Sequence, residues 1–481
     1  MTTLLTPSHR WRVLALTAWV FVGPACRRVS PLPPPTATPM ALSSPAPAPK
    51  PSQSPSPSPS PPPPLQHCFP EDSELSPPRS VKELLDRAAD RLEQASEPPR
   101  LCKNPDAAQP SAATQTSERR HREALACAEE ALRHDDQSVE AHHNRALALL
   151  GLGQPEQARL ALTHALALAP DDPETLADAA ELYIHHLPAS SENTQIGLAY
   201  ARHGKLQAQR SHPSSESKHR PTAQLATPAP SKAAAKASTR SERPPRPVAG
   251  TGQPSLLTQL LILEGQALSD LGRASAALAP LEEAIARSDS NQARYERGLV
   301  LFDLCRLKDA QRSFAELLKR TPDDAWVHHQ LGLVLEMLGE PLAAERELAS
   351  ARKLAPQDFP EPLPIGKQEF RTLVSQEIVA LPEQARSDLR LVALELTDLP
   401  NLADLTVDQP TLSPTIVGLF RGLPLGMPES EPRSIVLYRK NLLRIVTSRD
   451  ELRTQVRTTL LHELGHLRGE DDDELRARGL E

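Results

Sequence analysis

A period of 34 residues constrains the fold of this chain more than any other feature of its sequence. With Pro322 aligned to Pro356, the same shift superposes two further pairs of small residues: Gly298 on Gly332, and Ala310 on Ala344. Small residues recur where two helices approach closely, and each proline stops a second helix. Large apolar residues fill the remaining helix faces. The period therefore predicts stacked pairs of helices that bury a continuous core.

The same template fits two other stretches. A shift of 33 residues extends it back to about residue 255, and "VEAHHNRALALLGLGQPEQARLALTHALALAP" matches it further upstream. This pattern resembles the tetratricopeptide repeat, which implies an all-α, right-handed solenoid whose concave groove binds a protein or peptide partner. The resemblance covers residues 80–210 and 255–358, with five units. One unit begins at "PETLADAAELYIHHL", and we expect an insertion to interrupt it.

Repeat patterns are strong evidence for a fold and weak evidence for a particular partner, because the repeated residues are the ones that pack. Two pairs of adjacent histidines lie on the predicted helices at similar places in their units: His142 and His143, and His328 and His329. We expect them to be surface or groove residues rather than metal ligands.

Other segments cannot pack into a core. The chain has 481 residues, of which 51 are proline and 3% aromatic, so ordered and disordered blocks must alternate. Residues 27–79 are expected to form a disordered linker rich in proline and serine. Residues 211–254 are expected to be a basic disordered insertion; the alternative is a docking site for an acidic partner or a cell-envelope polymer. The net charge of -7 gives no reason to expect nucleic acid as a partner.

The N-terminus has the pattern of an export signal. Arg10 and Arg12 precede the apolar run "VLALTAWVFV", and "GPAC" follows at Gly23–Cys26. About ten apolar residues are too few to span a bilayer, so residues 1–26 are expected to be a signal peptide. Small residues before a cysteine suit a lipoprotein signal with lipidation at Cys26; the alternative is ordinary cleavage. We expect a protein exported to the bacterial cell envelope, either periplasmic or attached to a membrane through the lipid alone.

The other four cysteines show no C-x-x-C spacing of the kind that binds metals. Cys127 and Cys305 lie in helical patterns and are expected to be small core residues. Cys68 and Cys102 flank loops and could pair in an oxidising compartment.

Beyond Pro356 the repeat pattern ends, and residues 363–481 indicate a small α+β domain. "KQEFRTLVSQEIVALPEQARSDL" has helical spacing, and "RLVALELTDLP" alternates like a half-buried strand. "TIVGLFRGLPL" and "SIVLYRKNLLRIV" supply further strand-like segments. A long final helix begins after Ser448, where Glu451 completes a capping box.

The final helix carries the residues that indicate chemistry. His462 and His466 lie one turn apart on the side opposite the apolar residues, and Glu463 projects between the two sides. Two such imidazoles can bind one zinc ion, while a carboxylate that is not a ligand takes a proton from water. Asp472, ten residues after His462, offers a third ligand. The same set could hold ferrous iron, although the H-E-x-x-H geometry favours zinc.

These motifs, together with "GLFRGLPL", "SIVLYRKNLLRI" and "TLLHELGHLRGEDDDELRARGL", resemble the bacterial minimal-zincin, or metallopeptidase-like, family with the motif H-E-x-x-H-x-x-G-x-x-D. The resemblance covers about residues 368–480. It implies that His462, His466 and Asp472 ligate Zn²⁺ and that Glu463 is the general base. It also implies that the "SIVLYRK" strand is an edge along which a peptide can lie.

Two functions are therefore in competition. The first is an exported zinc-dependent metallopeptidase whose repeats recruit a protein or peptide to the C-terminal domain. The alternative is a binding scaffold in which the zincin-like domain is inactive or structural. Release of peptides in a chelator-sensitive way distinguishes them.

Overall fold

The computed structural model of the chain describes residues 80–96, 110–211, 255–407, 411–427 and 432–480, without the side chains of residues 96, 110–115, 211 and 473. The predicted signal peptide with Cys26, the proline-rich linker and nearly all of the basic insertion lie outside these ranges. Within them, no helix is both long enough and apolar enough to cross a membrane.

Twelve helices in the described N-terminal part form six consecutive pairs. The first helices of the pairs are α1 (Val81–Ser96), α3 (Val139–Gly151), α5 (Pro173–Glu181), α7 (Leu256–Asp270), α9 (Asn291–Asp303) and α11 (Ala325–Met337). The second helices are α2 (Pro110–His134), α4 (Pro155–Leu168), α6 (Ser191–Ser211), α8 (Ala274–Ser288), α10 (Leu307–Arg320) and α12 (Pro341–Leu354). Helix α5 continues into one π-helical turn, Leu182–His186. Each helix packs on its partner and on the next pair, as the repeat period predicts.

The repeated glycine of a unit lies where the two helices of a pair touch. A Cβ atom at Gly298 would lie 2.6 Å from the ring of Phe314, so the missing side chain lets this ring cross to the facing helix. Side chains of five polar residues then cap the first helices by accepting backbone N–H groups of the following turn: Ser138, Asp172, Ser255, Ser290 and Asp324.

The third unit differs from the sequence prediction. The basic insertion was expected to interrupt it, but α6 completes the pair with α5 before the insertion begins. The described residues thus contain six pairs rather than five. Helix α6 was missed because it buries mostly small residues, such as Ala201 and Ala208, and therefore has a weak apolar period.

The cysteines also differ in part from expectation. Cys127 is fully buried, as predicted, but it takes part in a disulfide bond. Cys305 is a free thiol and only partly buried, at a backbone φ of 57° in the turn after α9. The predicted pairing of Cys68 with Cys102 falls on residues outside the described ranges.

The C-terminal part combines six helices with a three-stranded sheet. Its elements are α13 (Lys367–Ala380), α14 (Glu383–Leu389), β1 (Ala393–Thr397), α15 (Leu402–Thr406), β2 (Gly418–Arg421), β3 (Ser434–Tyr438), α16 (Arg439–Arg444), α17 (Arg449–Arg468) and α18 (Asp472–Ala477). The strand order is β1-β3-β2, with β3 parallel to β1 and antiparallel to β2. The second half of "SIVLYRKNLLRIV" forms α16, so the predicted third strand ends at Tyr438.

Both faces of this sheet are covered. On one face, Phe420, Ile435 and Leu437 pack in a core with residues of α13 and α17. On the other face lie five buried residues of the C-terminal part: Leu405, Ile416, Leu419, Val436 and Tyr438. Cys305 and Met337, from the last two repeat pairs, pack against this second group. The sheet therefore has one core within its own domain and another shared with the repeats.

Polar contacts hold the same boundary. The Thr411 hydroxyl donates to the backbone carbonyl of Asp303 at 3.0 Å, and the Ser413 hydroxyl donates to the carboxylate of Asp303 at 3.1 Å. The turn between α9 and α10 is thus bonded to the segment that leads into β2.

This shared core predicts that the C-terminal part needs the last repeats for its full stability. A fragment of residues 360–481 should unfold at a lower urea concentration than one of residues 291–481, because only the longer fragment covers the second face of the sheet. Each Leu-sized side chain that becomes exposed removes about 1.5–3 kcal/mol. Urea unfolding followed by circular dichroism measures the difference, and equal midpoints for the sheet in both fragments would show that it folds independently.

Candidate metal centre

Helix α17 carries the side chains of His462, Glu463 and His466, and it lies between the sheet and α18. The Ser448 hydroxyl accepts the backbone N–H of Glu451 at 3.2 Å and starts the helix as predicted. Four fully buried residues fix its orientation against the sheet: Val456, Leu460, Leu464 and Leu467. The periodicity then turns His462 and His466 toward α18, and both imidazoles are buried there, at 1% and 0% exposure.

The structure brings together the three predicted ligands. The Nε2 atoms of His462 and His466 are 3.0 Å apart. One carboxylate oxygen of Asp472 lies 3.7 Å from the first Nε2 and 3.3 Å from the second. In the described ranges, these residues are the one group of three or more potential ligands close enough to share an ion.

The other ring nitrogens determine what these atoms can do. His462 Nδ1 faces the backbone carbonyl of Leu480, and His466 Nδ1 faces that of Glu470 at 3.0 Å. A carbonyl only accepts hydrogen bonds, so each Nδ1 carries a hydrogen and Nε2 is the nitrogen of each ring that faces the other ligands. Burial lowers the pKa of His462, although hydrogen bonding to Asp472 and Leu480 opposes this effect. Such backbone contacts orient histidine ligands in metal sites.

Two glycines bring Asp472 to this point. Gly469 ends α17 at a φ of 94°. This left-handed conformation turns the chain back toward the helix that it has just left. A Cβ atom at Gly465 would lie 2.2 Å from Leu475, so α18 can lie directly on α17 only because that residue has no side chain. Asp471 caps α18 in a capping box, which leaves Asp472 at the first position of the helix.

The residues fit a small cation. Two imidazole nitrogens and a carboxylate oxygen face one another, and these are atoms that bind a small cation. Ligands about 2.0–2.1 Å from a tetrahedral zinc ion are about 3.3 Å apart, and the three observed separations lie around this value. Three protein ligands leave a fourth position for water or substrate, as in catalytic zinc sites.

Glu463 lies beside these ligands and is fully buried. Neither of its carboxylate oxygens makes a hydrogen bond of normal geometry in the described part of the chain. Burial first, and then the charge of Asp472, raise the pKa of Glu463 well above its usual value, while the nearby backbone N–H of Phe420 acts in the opposite direction. A buried carboxyl group with a raised pKa holds a proton more readily than an exposed one does.

The sheet edge beside Glu463 is β2, which corrects a sequence prediction. The "SIVLYRK" strand was expected to be the edge, but β3 is the central strand. Local sequence does not reveal strand order, because order depends on pairings distant in the chain. A Cβ atom at Gly418 of β2 would lie 2.5 Å from a Glu463 carboxylate oxygen, so the strand backbone runs directly over the glutamate.

The backbone of β2 also has groups to offer a ligand. Tyr438 N–H donates to the Val417 carbonyl at 3.0 Å, and bonded pairs alternate along an antiparallel ladder. Leu419 is therefore bonded to β3, whereas the backbone groups of Gly418 and Phe420 point away from β3, and the Phe420 N–H is the one that acts on Glu463. The role of Gly418 was not predicted from the sequence, and its place in the strand-like segment "TIVGLFRGLPL" was the available signal.

Comparison with known families agrees with this geometry. The family described as "Zincin-like metallopeptidase" matches residues 389–480, and the family described as "Tetratricopeptide repeat" matches residues 139–172. The chain carries tetratricopeptide repeats and a C-terminal zincin-like metallopeptidase domain. The zincin-like match spans β1 to the turn after α18 and so includes all four predicted site residues. No curated protein matches the chain significantly.

Solved structures similar to the chain include three tetratricopeptide-repeat or pilus proteins. YrrB, described as a repeat protein with an unusual peptide-binding site, is 15% identical, with 48% of this chain and 94% of YrrB covered and a TM-score of 0.32. PilW, a type IV pilus biogenesis factor, is 15% identical, with 60% and 98% covered and a TM-score of 0.38. PilF of Pseudomonas aeruginosa is 10% identical, with 61% and 99% covered and a TM-score of 0.35.

The four repeat histidines singled out by the sequence, namely His142, His143, His328 and His329, are separate from this centre. All of them are partly buried, and His143 pairs with Asp178 while His329 stacks on Phe359 with ring centroids 4.5 Å apart. None of the four belongs to a potential metal group in the described part of the chain.

The geometry predicts that zinc stabilises the folded chain. At a free zinc concentration 1,000 times the dissociation constant, the gain is about 4 kcal/mol. His466→Ala removes one of three ligands and should abolish both the rise in melting temperature and the bound zinc, whereas His186→Ala, an exposed histidine of the repeats, should keep both. Thermal unfolding with and without zinc, together with elemental analysis, measures this. Full zinc content in His466→Ala contradicts the assignment.

Proposed function

We propose that the protein is an exported zinc-dependent peptidase whose repeats recruit a protein or peptide partner. One observation carries this proposal: the Nε2 atoms of His462 and His466 and a carboxylate oxygen of Asp472 converge beside the buried Glu463. Imidazoles and a carboxylate at these separations suit zinc, and a general base next to them suits hydrolysis rather than a purely structural ion.

In the proposed reaction, His462, His466 and Asp472 hold the ion. Bound zinc supplies a Lewis acid that polarises a carbonyl group and makes water more acidic. Glu463 accepts a proton from the attacking water as the new carbon–oxygen bond forms. It then donates that proton to the leaving amine as the carbon–nitrogen bond breaks. A carboxyl group placed beside the ligands can serve in both steps because it can accept a proton and return it.

The position of β2 supports a peptide as the substrate. Free N–H and C=O groups on an edge strand can pair with an extended peptide, which then forms an additional strand. Such a peptide would lie alongside Gly418 and Phe420, with its backbone next to Glu463. The requirement for backbone pairing favours extended segments over folded protein surfaces.

A second function has its own support. Both ligand imidazoles are almost completely buried, and Asp472 is 30% exposed. A site closed in this way also suits a structural ion, in which case the repeats bind a partner and the zincin-like domain serves as a scaffold. Activity and metal content together distinguish the two functions.

Substitution of Glu463 separates enzyme from scaffold. Glu463→Gln keeps the size of the side chain but cannot take a proton, so zinc content should persist while chelator-sensitive peptide release falls about 10²- to 10⁴-fold. Glu383→Gln makes the same chemical change at an exposed position of α14 and should leave release unchanged. Zinc and peptide release are measured on the same preparations. Equal release from both variants contradicts the base assignment, and a zinc-loaded parent that releases nothing favours the scaffold.

Export to the cell envelope is part of the proposal, with lipidation at Cys26. The disulfide bond of Cys127 supports it, because disulfides persist mainly in oxidising compartments. We expect Cys26→Ser to leave the membrane fraction, since a diacylated terminus supplies the two chains that stable anchoring needs. Cys305→Ser, which removes a free thiol, serves as the control. Membrane fractionation of Cys26→Ser that matches the parent contradicts lipid anchoring.

A further inference from the structure

One buried carboxylate of the repeats bonds to the zincin-like domain. Glu336, at the end of α11, has a side chain only 8% exposed. Its carboxylate pairs with the Lys440 ammonium group at 2.5 Å and with the guanidinium group of Arg444. Both partners belong to α16, so two cations of the zincin-like domain converge on one anion of the last repeat pair.

Arg444 also forms a hydrogen bond with a buried asparagine, Asn441. One guanidinium nitrogen donates to the side-chain oxygen of Asn441 at 2.7 Å. The Asn441 side-chain nitrogen donates to the backbone carbonyls of Pro414 at 2.9 Å and Ile416 at 2.7 Å. Asn441 is 3% exposed, so water does not replace these bonds easily. Burial also lowers the pKa of Arg444 to about 10, and the group thus stays charged at neutral pH and requires an anionic partner.

Pro414 and Ile416 lead directly into the edge strand. Two residues after Ile416 lies Gly418, whose backbone leaves no room for a Cβ atom above Glu463. The same position lies equally close to the Thr459 methyl group of α17. At such separations, a shift of β2 toward α17 would bring its backbone into collision with the Glu463 side chain. A shift away from α17 would leave a gap between Gly418 and Glu463. The placement of residues 414–418 therefore determines how β2 lies over the proposed base.

We propose that Glu336 is a positioning residue: through Arg444 and Asn441 it fixes the segment 414–416 and thereby holds β2 in place over Glu463. The role rests on the proposed peptidase function, because it concerns the strand that would bind the substrate. Glu336 touches neither the ligands nor Glu463, and it belongs to the repeats rather than to the zincin-like domain. The last repeat pair thus fixes the geometry of the proposed site in addition to stabilising the domain.

The test compares two full-length variants at the same boundary, of which Glu336→Ala removes both ion pairs and Lys440→Ala removes one. Glu336→Ala removes the anion that fixes Arg444. Lys440→Ala removes the other partner of Glu336 and leaves intact the contacts that Arg444 makes with Glu336 and with Asn441. Hydrogen exchange read by mass spectrometry over residues 411–421, together with zinc content, reports on the strand whether or not the protein hydrolyses peptides.

We expect exchange of residues 411–421 to rise about tenfold or more in Glu336→Ala, since a charged hydrogen bond is lost, and to stay within about twofold in Lys440→Ala. Exchange in α17 and zinc content should match the parent in both. Asn441→Asp cannot donate to the two carbonyls and should reproduce the Glu336→Ala pattern with the ion pair present. This variant decides the question if Glu336→Ala does not fold.

Unchanged exchange of residues 411–421 in the folded variants overturns the proposal, as does a rise spread evenly through the zincin-like domain. If the parent releases peptides, Glu336→Ala should raise KM about tenfold with kcat nearly unchanged, because an edge strand binds substrate and transition state alike. A parent that binds zinc and releases no peptide removes the peptidase function, while the exchange result still decides the positioning role.

Discussion

A three-stranded sheet with apolar side chains on both faces has to be covered twice, and this requirement organises the C-terminal half of the molecule. Helix α17 covers one face and carries the histidines and Glu463. The last two repeat pairs complete the cover of the other face through Cys305 and Met337. The same strands therefore connect a surface for partner binding with a centre for chemistry. The sheet is covered on both faces only when α17 and the last two repeat pairs are both present.

The metal centre shows how local structure holds together the atoms that bind a small cation. Three such atoms face one another at separations of 3.0 to 3.7 Å, which the chain maintains through contacts outside the group itself. Carbonyls of Leu480 and Glu470 hold the rings, and the close packing of α18 on α17 holds the carboxylate. Folding energy thus keeps these atoms converged, so that a cation of the correct size would bind with little rearrangement.

Much of this architecture follows from short-range sequence patterns. The 34-residue period predicts the stacked helix pairs, and the spacing of His462 and His466 places both rings on one side of α17. The period failed for α6, whose packing uses small residues. Strand order could not be predicted, because β1 pairs with β3 across a separation of about 40 residues that leaves no local pattern. The contact between Glu336 and Arg444 also joins residues that are distant in the chain. In addition, charged residues in helices are usually solvated, so neither residue stood out in the sequence.

The docking of the sheet on α9 to α12 restricts how such a protein can evolve. A solenoid ordinarily gains and loses units by duplication and recombination anywhere along its length, because each unit contacts only its neighbours. Here the final two pairs also contact the sheet, so a unit added or deleted among them would separate Asp303, Cys305 and Glu336 from their partners. Changes in repeat number should accumulate upstream of α9, where the solenoid can lengthen or shorten while the zincin-like domain is inherited unchanged.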